Sequence, residues 1–219
     1  MPARKIPKNH LHVTGKFASQ KNGQMGGFES LLEKDYMLLL EFDDAVEGFD
    51  EQPVTIPVTG VARGYTPDIL VRFFPDASTG QPRSPELTEV KSIDDLKRNK
   101  EKYAPKFAAA EQYACELGWI FSIKTEKEIR TQRLANIKFL REYRNIDPVE
   151  DDCIKLLSLV LSFNGAAALP GLLCSLGRTE DDDLHWLPVI WNMVLNKRLI
   201  IDIDVPLSDR VILSLPERE

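Results

Sequence analysis

Two β-forming runs, Tyr65–Phe74 and Leu87–Lys91, flank a segment that neither a helix nor a strand can occupy. Pro75, Pro82 and Pro85 remove backbone donors and fix φ, and Gly80 supplies a turn position, so residues 75–85 form a connecting loop. The flanking runs are rich in aromatic and β-branched residues, which fit a pleated, half-buried surface. Strands joined through one loop pair most simply as an antiparallel hairpin, here centred near Gly80. Positions whose numbers sum to about 160 then lie opposite one another, within a slip of about two residues. Asp68 falls across from the Glu89–Lys91 end. Side chains alternate along a strand, so Glu89 and Lys91 project together while Val90 turns to the core.

Two carboxylates and an ammonium therefore converge at one end of a sheet. Carboxylates and carbonyls suit a hard cation such as Mg²⁺ (or Mn²⁺), and the backbone carbonyl of Val90 is a further candidate ligand. Such an ion polarises a phosphodiester and lowers the pKa of its bound water. Lys91 beside it would orient or help deprotonate that water and offset charge in the transition state. A surface hairpin with an i, i+2 Glu/Lys pair has the same local sequence, so the pattern alone leaves both readings open. Upstream, Phe28–Asp35 opens an amphipathic helix with carboxylates in its first turns. Glu33 lies off the Leu32–Tyr36–Leu39 stripe and can reach the same metal site from a helix beside the sheet. Early acids also complement the helix dipole, which accounts for Glu29.

The remaining periodicities give an α/β chain. Helices are expected over Phe28–Glu41, Ile93–Leu117 and Glu126–Tyr143, and strands over Val54–Val58 and Trp119–Ile123. At Asn145–Asp152 the helix is broken by Asp147-Pro148 and acids cluster, which sets a domain boundary at 146/147. Helices near Asp151–Leu161, Leu172–Leu176 and Asp182–Asn196 follow, then two short strands, Leu199–Asp204 and Arg210–Leu215. Three helices ending in a hairpin outline a small winged-helix-like α+β domain over 147–219. Residues 1–27 read as a basic arm rather than a packed element, and 28–146 as the catalytic domain.

The net charge of −6 disfavours nucleic acid only until its distribution is considered. Residues 1–28 hold Arg4, Lys5, Lys8, Lys16 and Lys21 and no acid. Lys97, Arg98, Lys100, Lys102 and Lys106 form a second basic stretch, and Lys124–Arg144 a third that would face phosphates or solvent. Acids gather at Asp43–Glu51, Asp147–Asp152 and Glu180–Asp183. Cys115, Cys153 and Cys174 lack any CxxC spacing and read as reduced, buried thiols of a cytoplasmic protein. No apolar run is long enough to span a bilayer, and no signal peptide is expected. His10 and His12 read as solvated; Trp186 and Trp191 as packed among the C-terminal helices.

The order helix-Glu, Pro-Asp, Glu-x-Lys resembles the restriction-endonuclease-like nuclease superfamily, a mixed sheet flanked by helices. More narrowly the chain resembles TnsA, the endonuclease subunit of heteromeric cut-and-paste transposases. The residues carrying this are Phe28-Glu-Ser-Leu-Leu-Glu33-Lys-Asp-Tyr, Leu40-Glu-Phe-Asp43, Glu51-Gln52-Pro53, Tyr65-Thr-Pro-Asp68 and Glu89-Val-Lys91. The resemblance implies metal-binding roles for Glu33, Asp68 and Glu89 and a catalytic role for Lys91. It also implies DNA cleavage at the 5′ ends of a mobile element. The partners it implies are an integrase-like transposase (TnsB-like) and an AAA+ ATPase regulator (TnsC-like). An independent restriction, repair or junction-resolving nuclease of the same fold is the competing expectation.

Overall fold

A computed structural model describes residues 13–177, 179–208 and 210–216. Arg4, Lys5, Lys8, His10 and His12 lie outside them. The chain divides into two compact units, Met1–Arg130 and Thr131–Glu219.

The first unit is built on a four-stranded sheet of β3 (Val46–Glu51), β6 (Ile69–Phe73), β7 (Glu86–Val90) and β8 (Ile120–Lys124), in that spatial order. The first three strands are antiparallel, and β8 runs parallel to β7. A parallel neighbour requires a crossover. Helices α2 (Ile93–Arg98) and α3 (Lys100–Glu116) provide it. Alternation along β7 then assigns one helix to each face. Leu70 and Leu87 pack with Ala110 and Ala114 of α3, while Thr88 faces the other way, toward Tyr36 of α1 (Leu31–Phe42). This mixed sheet between helices is the restriction-endonuclease-like architecture expected from the sequence.

Several expected elements are divided in the structure. The run Tyr65–Phe74 splits at Thr66-Pro67-Asp68, because Pro67 has no N–H to continue a ladder. Its first part belongs to β5 (Val61–Tyr65), which pairs with β4 (Ile56–Val58), and Asp68 sits just before β6. Ile69 faces Thr88 and Val71 faces Glu86, three residues displaced from symmetry about Gly80 and beyond the slip allowed. The displacement brings Asp68 level with Glu89. The long helix 93–117 breaks at Asn99, whose N–H and side-chain amide both return to Asp95. Strand β3 was hidden in the acid-rich stretch because only Val46, Gly48 and Phe49 turn fully inward, while the carboxylates line the outside and the end. Along α1, Leu31 is exposed, whereas Met37 and Leu38 join Tyr36 and Leu40 in the core. That helix is covered on more than one side, so no single stripe describes it.

Residues 13–27 are also more structured than a basic arm. Strands β1 (Gly15–Ser19) and β2 (Gln24–Phe28) form a hairpin that buries Phe17, Ser19 and Phe28. Its turn is held from outside. The Glu41 carboxylate accepts from Ser19 Oγ at 2.8 Å, Gln20 N at 2.8 Å and Lys21 N at 3.2 Å. Asn22 exchanges hydrogen bonds with the backbone of Phe49. At Gly26 a Cβ would meet the Glu51 carboxyl at 1.7 Å, so a larger residue there would displace that side chain. Small and polar residues fill this hairpin, so its aliphatic signal is thin although its packing is not.

The second unit begins inside what reads as one helix over 126–143. Helix α4 (Glu126–Ile129) ends at Arg130, and Thr131 starts α5 (Gln132–Leu140) afresh with extended backbone. The boundary expected at 146/147 thus lies earlier, because Leu134, Ile137 and Leu140 of α5 are buried and α5 packs on α8 (Glu180–Leu195). Helices α6 (Glu150–Ser162) and α7 (Leu169–Leu176) complete the bundle, with Leu156, Leu172, Ile190 and Met193 fully buried. Strand β9 (Ala166–Ala168) pairs with β10 (Ile212–Ser214). The closing hairpin expected between 199–204 and 210–215 is reduced to one bridge, Ile200 to Ser214. Asn136 Nδ2 donates to the carbonyls of Ile203 and Val205, replacing a strand partner there. The acids of Asp147–Asp152 and Glu180–Asp183 fall largely in the first turns of α6 and α8, where they complement the helix dipole. Trp186 and Trp191 are buried in this bundle as expected, but Cys115 and Cys174 are exposed and only Cys153 is buried.

Replacing Glu41 by Ala removes three charge-assisted hydrogen bonds at a partly exposed position. A loss of about 1–2 kcal/mol is expected. Limited trypsin digestion should then cut first at Lys16 and Lys21, before the sheet is attacked.

Candidate active site at the end of the sheet

Where β7 ends, Lys91 is gripped by two carboxylates from different segments. Its Nζ lies 2.8 Å from Glu89 Oε1 and 3.1 Å from Asp68 Oδ2. The pairing follows from period-two alternation, which puts Glu89 and Lys91 on one face, and from the Pro67 break, which frees Asp68 from the ladder. Asp68 Oδ2 also accepts from the Val90 backbone N–H at 2.8 Å. The Val90 carbonyl, the expected fourth ligand, accepts from Lys91 Nζ at 3.1 Å. Glu89 is 3% exposed, and its second oxygen accepts from the Tyr65 hydroxyl at 2.6 Å. Tyr65 is the residue that reading the sequence passed over. Its position before Pro67, on the strand that leads to Asp68, was the available signal.

Glu33 arrives from the start of α1. Ser30 is the N-cap, accepting from Glu33 N at 3.1 Å and donating through Oγ to Glu33 Oε1 at 2.8 Å. The Glu29 N–H donates to Glu33 Oε2 at 2.8 Å. These bonds form a variant of the reciprocal Ser-x-x-Glu cap, with the returned donor one residue earlier. Glu33 nevertheless feels the sheet end. Burial first, and then the charge of Asp68, push its carboxyl up to about 7, against the opposing pull of Lys91. Glu89 is pushed up to about 7 by burial and by Asp68, although Lys91 touches it. For Lys91, burial opposes the charge, but Asp68 and Glu89 outweigh it and hold the ammonium's proton well above the ordinary lysine range. Burial and the neighbouring Glu89 charge raise the Tyr65 hydroxyl far above its usual value, so it donates and does not ionise.

Three carboxylates thus share one ammonium, and burial together with this excess of negative charge raises the carboxyl pKa of Glu33 and of Glu89. This donor set fits a hard divalent cation in kind and in charge: all oxygen, acidic and undercompensated. Among the described residues, no three acidic, His or Cys side chains already stand in a geometry ready to hold a metal ion. The oxygens of Glu33, Asp68 and Glu89 are engaged with Ser30, Glu29, Val90, Lys91 and Tyr65 instead.

Basic residues gather beside this end of the sheet on α3. Lys106 Nζ lies 5.9 Å from the ring centroids of both Tyr65 and Tyr103, and Tyr103 stacks on Phe107 at 5.2 Å. Three of the seven basic residues in the third stretch are ion-paired within the protein. Lys124 pairs with Glu86 at 2.7 Å, Arg130 with Asp35 at 3.2 Å and Arg133 with Asp204 at 2.6 Å. As a phosphate-contacting face it is therefore weaker than its composition suggests. No helix among the described residues is long and apolar enough to cross a membrane.

Two family models match the chain in sequence order. Residues 43–126 match the family model for the TnsA-like endonuclease N terminal, a span that includes Asp68, Glu89 and Lys91 but begins after Glu33. Residues 128–203 match the model for the TnsA endonuclease C terminal. The two matches meet within a few residues of the division between the structural units. No curated protein matches the chain. With a sheet end of this composition and both parts of one family's sequence in order, the chain belongs to the TnsA-like endonucleases.

Proposed function

We propose that this chain is the metal-dependent DNA endonuclease subunit of a transposase complex, hydrolysing phosphodiester bonds at the 5′ ends of a mobile element. The observation that carries the reading is the undercompensated carboxylate set around Lys91. Glu33, Asp68 and Glu89, with the Val90 carbonyl, would hold Mg²⁺ or Mn²⁺. When bound, such an ion supplies an activated water and charge stabilisation at the phosphate.

The chain's own residues do the rest. Asp68 and Glu89 hold the Lys91 ammonium at the end of the sheet, where its charge would face phosphoryl oxygens. The proton held on Lys91 makes its part electrostatic rather than basic. Tyr65 fixes the rotamer of Glu89 through its hydroxyl. Lys102 and Lys106, on the helix beside the site, are suited to the DNA backbone. Residues 147–219, whose elements run helix–strand–helix–helix–strand, we read as winged-helix-like and as the docking part for an AAA+ regulator. An integrase-like transposase would place the nuclease on DNA, since a net charge of −6 leaves little concentrated positive charge to hold phosphates.

The deciding experiment compares cleavage at element ends by the full chain alone and with its transposase and ATPase partners. Weak nicking alone and efficient nicking in the complex are expected. Efficient sequence-specific cutting by the isolated chain would favour an independent nuclease. Within the complex, Asp68→Asn and Lys91→Met should each lower the nicking rate by about 10²-fold or more, with complex assembly unchanged by gel filtration.

Mg²⁺ and Mn²⁺ are expected to support cleavage. Ca²⁺ should bind without supporting it well, because its looser and larger coordination aligns the reacting groups poorly. Cleavage that persists in chelator-treated, metal-free buffer would remove the ion from the reaction.

The double variant Lys102→Ala/Lys106→Ala is expected to weaken duplex binding. It should reduce the slope of log affinity against log salt by roughly 0.9 for each phosphate that is no longer neutralised. Fluorescence anisotropy titrations between low and physiological salt measure this, and an unchanged slope would place the DNA elsewhere.

A further inference from the structure

Gln52 occupies an unusual position for its type. Its φ is +46°, in the left-handed region that glycine or asparagine enters more readily, and the next residue is Pro53. It is also 5% exposed. A long polar side chain held in strained backbone at a buried turn persists only where its surroundings over-determine it. Two hydrogen bonds do so. The Gln52 backbone N–H donates to the Asp68 carbonyl at 2.7 Å. Its Nε2 donates to Glu29 Oε1 at 3.0 Å. Glu29 in turn donates its own N–H to Glu33 Oε2. Gln52 Oε1 is buried without a hydrogen-bond partner, so the side chain is held through its amide nitrogen alone.

We propose that Gln52 is a positioning residue that ties the start of α1, carrying Glu33, to the turn that carries Asp68. It thereby sets the separation of two carboxylates that come from distant parts of the sequence. The inference rests on the proposed function, in which Glu33 and Asp68 act on one ion. The chemistry explains why glutamine stands here despite its backbone strain. Glycine would relax φ but break the link to Glu29. Glutamate would set two carboxylates face to face. Asparagine would reach one methylene less far. The amide orientation is fixed by the same logic, since only Nε2 can donate to the Glu29 carboxylate.

The test uses the full chain without metal and reads hydrogen–deuterium exchange at the Glu29 and Val90 amides. These donate to Glu33 Oε2 and Asp68 Oδ2. Gln52→Gly keeps the backbone N–H and relieves the strain. It is expected to speed exchange at Glu29 by about tenfold or more, with the unfolding temperature unchanged or raised and protection in the core of the sheet retained. Exchange at Val90 should rise less, because the bond to the Asp68 carbonyl survives. Gln52→Glu should act similarly at Glu29. Combining it with Glu29→Gln makes amide and carboxylate change places, and protection should return. Exchange at Glu29 as slow as in the unaltered chain for Gln52→Gly would overturn the proposal. So would a combined variant no better protected than Gln52→Glu alone. A Mn²⁺ titration runs in parallel, and Gln52→Gly should bind roughly 10–100-fold more weakly. Absence of Mn²⁺ binding by the unaltered chain would overturn the proposed metal site instead, while the exchange rates still decide the role of Gln52.

Discussion

One ammonium serving more negative charge than it can balance organises the first unit. Lys91 reaches Asp68 and Glu89 directly and opposes the charge of Glu33 at longer range. In low dielectric, burial beside like charge disfavours the ionised carboxylates, and it raises the pKa of Glu33 and of Glu89 accordingly. An arrangement of this kind is costly to a protein that needs only a stable core, because apolar side chains would fill the same volume without the desolvation penalty. The proposed binding of a cation and a phosphate there would offset that cost. The same excess explains the surrounding hydrogen bonds. Tyr65, Ser30, and the backbone N–H groups of Glu29 and Val90 each donate to a carboxylate that would otherwise be buried with too few partners.

The scaffold delivers these groups by interrupting regular structure at chosen points. Pro67 ends one ladder before the next begins, so Asp68 is free to turn toward Lys91. Gln52 ends β3 with positive φ and faces the Asp68 carbonyl. Ser30 starts α1 so that Glu33 lies in its first turn. Each chemical residue therefore sits at the end of an element, where the backbone can depart from its ladder, while the interiors of β6 and β7 are sealed by Val71, Leu87 and Thr88. In the second unit a different device recurs. Asn136 and Asn192 are buried and use their side-chain amides to satisfy carbonyls of irregular segments, Ile203 and Val205 in one case, Tyr143 and Ile146 in the other. Irregular chain can be packed against a bundle only if such carbonyls find donors.

Charge read along the chain was a poorer guide than hydrophobic pattern. The acidic clusters near 150 and 180 open helices α6 and α8 in the structure, where they complement the exposed N–H groups. The basic stretch 124–144 suggests a phosphate-binding face, yet three of its members are ion-paired within the protein. Composition counts charges but does not say which have been neutralised at home. The basic residues of α3 keep their significance because of where they lie, beside Tyr65 and its hydrogen bond to Glu89.

Local patterns alone determined the β6–loop–β7 arrangement, the shared face of Glu89 and Lys91, the apolar helices and the order of chemical residues. Proline geometry and side-chain periods of 2.0 and 3.6 act over a few residues and need no distant partner. The register that sets Asp68 level with Glu89, the N-terminal hairpin and the restart of the chain at Thr131 were decided only by tertiary structure. Each depends on a group remote in sequence. Glu41 anchors a turn some twenty residues away, the buried face of α5 is claimed by α8, and Gln52 reaches both Glu29 and Asp68. The perturbed carboxylates belong to the same class. A glutamate carries no mark in the sequence of whether it will be buried beside another, and it is that burial, with one lysine for three acids, which turns an ordinary Glu-x-Lys strand into a candidate catalytic centre.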